Sequence, residues 1–317
     1  MAKTAKPPTW KVLLAFAIIY FVWGSTFLAI KVGVREVPPF LLAGMRFFIA
    51  GIVLYGWMRV RGTRSPTVRE WGGASLLAIL IFVFDYGLLF WAERRVASGI
   101  AAVILATIPV FMTFSEIWLL GTRRLTLRLA FALLLGIVGV AVLMSPSVSF
   151  GEVPIDMGGA WALIVAAISW SIAAALSHKL PLPEAKGMSS AAQMFTGGVL
   201  LTIAATSLGE LRGFHLAAVS HQAWFALAYL IVAGSIVAFT AYVWLIHHES
   251  PTMVGTYAYV NPVVAILIGY GFAGEALGRR TIIGTALVLV SVVVITTSRS
   301  RKTSAQTWAS DPQESET

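Results

Sequence analysis

Runs of about 20 consecutive apolar residues recur along almost the whole chain, and that is the length a helix needs to cross the hydrocarbon of a bilayer. Hydrophobic residues fill 58% of the 317 positions and charged residues 12%, and the mean hydropathy is +0.84. A water-soluble domain of ordinary composition is excluded. Bounded by Pro, Gly and charge, the runs define ten spans, at 11–33, 38–58, 71–92, 97–119, 127–145, 158–178, 188–208, 222–246, 252–273 and 281–298. They lack the short alternation of barrel strands, so helices must satisfy the backbone polar groups in lipid. The expected fold class is all-α, a polytopic membrane protein with ten transmembrane helices.

The net charge of +9 comes from 23 Lys and Arg against 14 Asp and Glu. These cations are scattered among short loops, which argues against a nucleic-acid partner and makes them a record of topology instead. With the N-terminal tail (1–10) in the cytoplasm, Lys and Arg favour the inner segments by about two to one. Both termini are therefore expected in the cytoplasm of a plasma-membrane protein, although Arg279 and Arg280 fall on the outer side. The first run carries no convincing cleavage pattern and is read as a retained helix. Residues 302–317 are polar and without periodicity, so 299–317 is expected to be a disordered cytoplasmic tail.

An internal duplication sets the architecture. One constant offset places Trp23 on Trp170, Arg46 on Gln193 and Ala50-Gly51 on Gly197-Gly198; a second places Trp91 on Trp244, Pro109 on Pro262 and Gly121 on Gly274. Two five-span units result, 11–145 and 158–298. An odd number of spans forces the second unit to enter from the opposite side, which gives the inverted-topology repeat found in many secondary transporters.

Candidate binding residues follow from what stands deep in the spans. Pro109 and Pro262 occupy matching positions near the middle of their helices, and paired interrupted helices point to a site between the repeats; a packing kink is the alternative. Tyr257 and Asn261 lie one turn apart on the helix of Pro262 and share a face. Trp23 and Trp170 lie too deep for the interfacial belt, and each indole N–H needs a partner; packing through neighbouring hydroxyls explains them equally well. Arg46, Asp85 and Glu116 are the charges within spans. Glu116 is read as an interfacial ion-pair partner of Arg123 and Arg124, and Lys31 and Glu275 as terminal-turn charges of the same kind. Arg46 and Asp85 share a depth of roughly 10 to 12 Å and are absent together from the second repeat. That pattern suits a compensating ion pair, or a vestibule in which Arg46 holds a substrate carboxylate or Asp85 exchanges a proton.

Enzyme classes find little support. The chain has no Cys, His178, His215, His221, His247 and His248 fall at or beyond span ends, and neither an HExxH helix nor a Gly-rich phosphate loop is present. No metal or other cofactor is expected. A non-transporting membrane scaffold is the alternative of a different class, but it leaves the matched prolines and tryptophans without a reason.

The segments WGSTFLAIK (Trp23 to Lys31), PPFLLAGMRFFIAG (Pro38 to Gly51), ERRVASGIAAVILATIPVF (Glu93 to Phe111) and YVNPVVAILIGYGFAGEALGRRTIIGTALVL (Tyr259 to Leu289) resemble the EamA-type members of the drug/metabolite transporter superfamily. The resemblance covers the chain apart from its tails. It implies a ten-helix exporter of small metabolites or drugs, working across the bilayer around a central cavity. Members often carry a Gly-Glu pair after both the fourth and the ninth helix; here only Gly274-Glu275 is kept, and the fourth reads Gly121-Thr122-Arg123. The first span also lacks the acidic residue that small four-helix relatives use for proton coupling, so coupling to protons would need another group. Substrate, coupling ion and the choice between monomer and homodimer are not encoded in these motifs.

Overall fold

The computed structural model describes residues 7–119, 121, 125–145, 155–177, 179–249 and 251–309, and within them every regular element is a helix. Ten helical rods run through the described residues. They are α1 (Thr9–Gly33), α2 (Pro39–Val60), α3 (Val68–Glu93), α4 (98–119), α5 (Leu127–Met144), α6 (Met157–Ser177), α7 (Lys186–Ser207), α8 (221–248), α9 (251–273) and α10 (Arg279–Ala309). The backbone of α10 runs on past Arg299 to Ala309; residues 310–317 lie outside the described ones, as do Ser149 and the rest of the 146–154 loop.

Local chemistry sets the helix ends. α3 begins with a capping box in which Thr67 Oγ1 accepts from Glu70 N and Glu70 returns the bond to Thr67 N. Arg64 grips the same carboxylate through two bonds of 2.6 and 2.8 Å. Thr126 caps α5, Asp156 caps α6 and Ser220 caps α8. Past α2 and α7 stand Gly62 and Gly209, with φ of 78° and 75°; past α4 and α9 stand Gly121 and Gly274, with φ of 63° and 65°. A left-handed residue after a helix favours Gly, and these two pairs fall at the two offsets read from the sequence.

The duplication also governs packing. α2 lies along α7 and α5 along α10, each helix beside its counterpart from the other repeat. A Cβ on Gly51 would stand 2.4 Å from Phe195 N, and one on Gly198 would stand 2.3 Å from Phe48 N. The matched glycines thus let α2 and α7 touch backbone to backbone, as small residues do where there is no hydrophobic drive between helices in lipid. α1 packs on α8 and α9 of the second repeat, while α6 packs on α3 and α4 of the first. This reciprocal exchange is the inverted-repeat arrangement.

Eight of the rods contain a helix long and apolar enough to cross a bilayer; the two that fall short, Ser98–Phe114 and Tyr257–Ala273, carry Pro109 and Pro262. α4 breaks at Ala106-Thr107 and α9 at Gly255-Thr256. Two further irregularities stand in corresponding helices, a π-helical stretch in α3 (Ile79–Gly87) and another in α8 (Leu230–Val237). Such stretches shift the backbone register and frequently mark functional positions.

Candidate functional site

Trp23 and Tyr257, and Arg46 and Trp170, gather into two clusters that meet on the π-helical stretch of α8. In the first, Trp23 of α1 donates its indole Nε1 to Gly234 O at 3.1 Å. Its ring meets Tyr242 of α8 and Tyr257 of α9 at centroid distances of 5.4 and 5.2 Å. Tyr20 and Thr256 share a hydrogen bond between α1 and α9 beside this trio, and Ser25 and Tyr229 share another, at 2.6 Å, between α1 and α8.

The second cluster surrounds Arg46 of α2, which is 3% exposed. Its Nε donates to Ser235 Oγ at 2.9 Å, and Ser235 in turn donates to Leu230 O at 3.0 Å, five residues back along the π-helical register. The guanidinium carbon lies 4.7 Å from the Phe47 ring, 5.5 Å from Tyr86 and 6.0 Å from Phe90, a cation held among aromatic faces. Nη1 is buried without a hydrogen-bond partner. Phe82 and Trp170 complete the ring set, each against Tyr86.

Gly234 and Ser235 join the clusters. Gly234 takes the Trp23 N–H on its carbonyl, and a Cβ there would stand 2.9 Å from Thr26 Cγ2 and 3.2 Å from Arg46 Nη2. A side chain at this position would crowd the guanidinium, so glycine is what lets α1, α2 and α8 converge.

Asp85, also 3% exposed, follows a different course from the one its shared depth suggested. It makes no ion pair with Arg46, and its Oδ1 has no hydrogen-bond partner. The compensating pair is replaced by two separate buried ionisable side chains that flank the aromatic residue Tyr86. Asn261 of α9 is 9% exposed with its Oδ1 unpartnered, while its carbonyl faces Gly24 of α1. Pro262 stands inside its helical segment, whereas Pro109 stands directly after the break in α4, as the second residue of the segment Ile108–Phe114, where a missing N–H costs no ladder bond. The α4 carbonyl before it, Ile108 O, accepts from Ser171 of α6 at 3.1 Å. The site thus brings together Trp23 with Tyr257, and Arg46 with Trp170 through Tyr86; Pro109 belongs to the packing of α4 on α6.

Sequence reading missed Tyr86, Tyr242 and Ser235, and it ended the third span one residue too early. Glu93 is the last residue of α3 and is 0% exposed. Glu275 is no terminal-turn ion: it accepts from Ser98 N, Ser98 Oγ and Gly99 N at 2.7, 2.8 and 3.1 Å, capping α4. Lys31 donates to Val96 O at 2.6 Å. The side chain of Glu116 and residues 122–124 lie outside the described set.

Two more carboxylates at the Glu275 end of the bundle cross the repeat boundary in the same way. Glu36 accepts from Ser220 N and Oγ at 2.6 and 2.7 Å, and these bonds hold its carboxyl below the usual range. Glu210 accepts from Leu41 N at 3.0 Å and Phe40 N at 3.4 Å; burial pushes its carboxyl up, against the pull of those two N–H groups. A groove of about 510 Å³ between α2 and α7, lined by Leu41, Met45, Phe48 and Thr202 among others, is apolar and lies apart from both polar clusters. Among the described residues, no group of three or more His, Asp or Glu stands close enough to hold a metal ion.

Comparison with known proteins agrees with this architecture. The EamA-like transporter family matches the chain twice, over residues 9–145 and 157–297. The Escherichia coli (strain K12) protein named "Uncharacterized inner membrane transporter YedA" is 35% identical over 284 residues, covering 89% of each chain. The "Uncharacterized transporter YoaV" of Bacillus subtilis (strain 168) is 23% identical over 92% of this chain and 99% of its own. The "WAT1-related protein At3g02690, chloroplastic" of Arabidopsis thaliana is 25% identical over 90% of this chain and 69% of its own. A solved crystal structure, 21% identical, superposes with a TM-score of 0.58 over 93% of this chain and 99% of its own, and so shares the fold. Matched twice by one family and similar over most of its length to a bacterial inner-membrane transporter, the chain belongs to the EamA-like transporter family and is a multi-pass membrane transporter.

Proposed function

We propose that the protein is a secondary transporter that exports small amphipathic metabolites, amino acids and related compounds, across the cytoplasmic membrane by alternating access. The observation that carries this reading is Arg46: a guanidinium 3% exposed, without a carboxylate partner, with Nη1 unpartnered at a junction of the two repeats. Leaving a charged donor buried and unsatisfied costs several kcal/mol, and a fold accepts that cost where a ligand supplies the missing acceptor. The rings of Phe47, Tyr86 and Phe90 lie 4.7–6.0 Å from the guanidinium carbon and offer Nη1 no acceptor, so it is left for a substrate carboxylate. Asp85 Oδ1 and Asn261 Oδ1 are the unpartnered acceptors for a substrate's donors, and Trp23, Trp170 and Tyr257 supply apolar walls. Pro109 and Pro262, on the two broken helices, belong to the elements that change shape.

The loop charges support both termini in the cytoplasm, so that the substrate enters from the amino-terminal side; export follows the direction implied by the family resemblance. The test is flux in proteoliposomes of a panel of labelled amino acids and related metabolites, with and without a pH gradient. Carrier-dependent flux of a carboxylate-bearing compound is the expected result. Absence of flux across the whole panel would contradict the reading.

A further inference from the structure

Glu93 stands outside both clusters, and the transport reading gives it no task. It ends α3, is 0% exposed, and neither Oε1 nor Oε2 has a hydrogen-bond partner. Its charged neighbours from other elements are Lys31 of α1 and Glu275 after α9, with Arg35 standing beyond Lys31. α6 packs along the same part of α3 and brings one charge to that end, its cap Asp156, which accepts from Gly159 N. α2 contributes Arg46, which is engaged with Ser235.

Lys31 and Glu275, the two charges that act on Glu93, balance each other without it, and Arg94 and Arg95, which follow Glu93 in the chain, are exposed. Glu275 accepts three hydrogen bonds from the start of α4, so its oxygens are supplied with donors where those of Glu93 are not. The Lys31 ammonium is directed at Val96 O and makes no ion pair with Glu93, and both Glu93 and Glu275 act on it as counter-charges. Ionised at this position, Glu93 would bury a carboxylate with no donor to either oxygen, which is strongly unfavourable. A neutral carboxyl avoids most of that cost.

We propose that Glu93 is a proton-binding site that latches the Glu275 end of the bundle. With the proton on, α1, α3, α4 and α9 close around it as they stand here. When these ends separate and water enters, the carboxyl O–H breaks, the proton passes to water, and Lys31 leaves Val96 O to neutralise the carboxylate. The linkage has one sign: a conformation that buries the protonated form is favoured at low pH, and opening is favoured as pH rises. The inference rests on the transporter reading for its use in a cycle, but its test needs no substrate.

Because the chain has no Cys, a single thiol reports opening. Ala102 is 2% exposed and lies one turn from Gly99 on the same face of α4, the face on which Gly99 packs against Ile266 of α9. The protein in nanodiscs, carrying Ala102→Cys, is labelled with a hydrophilic maleimide between about pH 6 and pH 8. Rates are divided by those of Leu216→Cys, a position 57% exposed, to remove the pH dependence of the thiol itself. The normalised rate is expected to rise with pH, by up to about tenfold per unit for one linked proton. Adding Glu93→Gln, which mimics the protonated form, should leave the protein folded and the rate low and flat; adding Glu70→Gln, at the opposite end of α3, should leave the rise intact. A Glu93→Gln protein that keeps the rise, or fails to fold, would overturn the proposal, as would a rate independent of pH in the Glu93 chain or a rise abolished by Glu70→Gln. Loss of flux across the metabolite panel with a preserved Glu93-dependent rise would overturn the transport reading and leave the proton site standing.

Discussion

Arg46 Nε meets Ser235 Oγ at 2.9 Å across the boundary between the repeats, and Ser235 can accept there because its own hydroxyl hydrogen is spent on Leu230 O, five residues back. The π-helical register of α8 and the orientation of the buried guanidinium are therefore one structure. Replacing Ser235 by Ala removes the acceptor and leaves a second Arg46 donor unsatisfied. The expected loss is about 1–3 kcal/mol, read as a lowered unfolding midpoint of the purified protein; a midpoint unchanged by Ser235→Ala would separate the two.

Gly234→Ala should destabilise by about 1–3 kcal/mol through overpacking, since its Cβ would stand 2.9 Å from Thr26 Cγ2 and 3.2 Å from Arg46 Nη2. Thr26→Ser removes that methyl and keeps the hydroxyl that donates to Trp23 O. Unfolding of the double variant should therefore recover part of the loss. Equal loss with and without Thr26→Ser would place the crowding elsewhere.

Glu36 and Glu210 cap helices of the opposite repeat yet should respond to pH with opposite signs. The Glu36 carboxyl is held below its usual range, so its contribution is present above the unfolded value and is lost as pH falls through the folded one. The Glu210 carboxyl is pushed up, so between its unfolded and folded values stability falls as pH rises. In unfolding midpoints measured from about pH 3 to pH 7, Glu36→Gln should remove a loss on the acid side, and Glu210→Gln should remove a loss on raising pH. Parallel changes in the two variants would contradict the assignment.

The ten rods were legible in the sequence because the length of an apolar run is itself the physical requirement for crossing a bilayer. The repeat was legible because glycines and tryptophans at constant offsets occupy equivalent packing positions; Gly51 and Gly198 make the same backbone contact from opposite sides. The π-helical stretches were not legible, since a shift of hydrogen-bond register leaves hydropathy unchanged, and with them Ser235 went unnoticed. Glu93 was lost because a charge ends an apolar run on any hydropathy measure, although here the helix carries that charge into the interior. The absence of both Arg46 and Asp85 from the second repeat suggested a pair. Instead Arg46 turns to Ser235 and the aromatic faces, a partnership made by α8 that spacing within the first repeat does not contain.

Topology is open to a direct check at Ser149, which the proposed orientation, with both termini in the cytoplasm, puts outside the cell. A cysteine there should react with an impermeant thiol reagent added to intact cells, with no native thiol to compete. Labelling only after the membrane is opened would reverse the orientation.

The central claim is that Arg46 receives a carboxylate, and the most direct measurement is flux in proteoliposomes of a transported carboxylate and its matched primary amide, through the native protein and through Arg46→Gln. The carboxylate should be preferred by the native protein by about tenfold or more, the worth of one charge-assisted bond of 1.5–3 kcal/mol, and Arg46→Gln should abolish the preference while the protein remains folded. An undiminished preference for the carboxylate in Arg46→Gln would contradict the account.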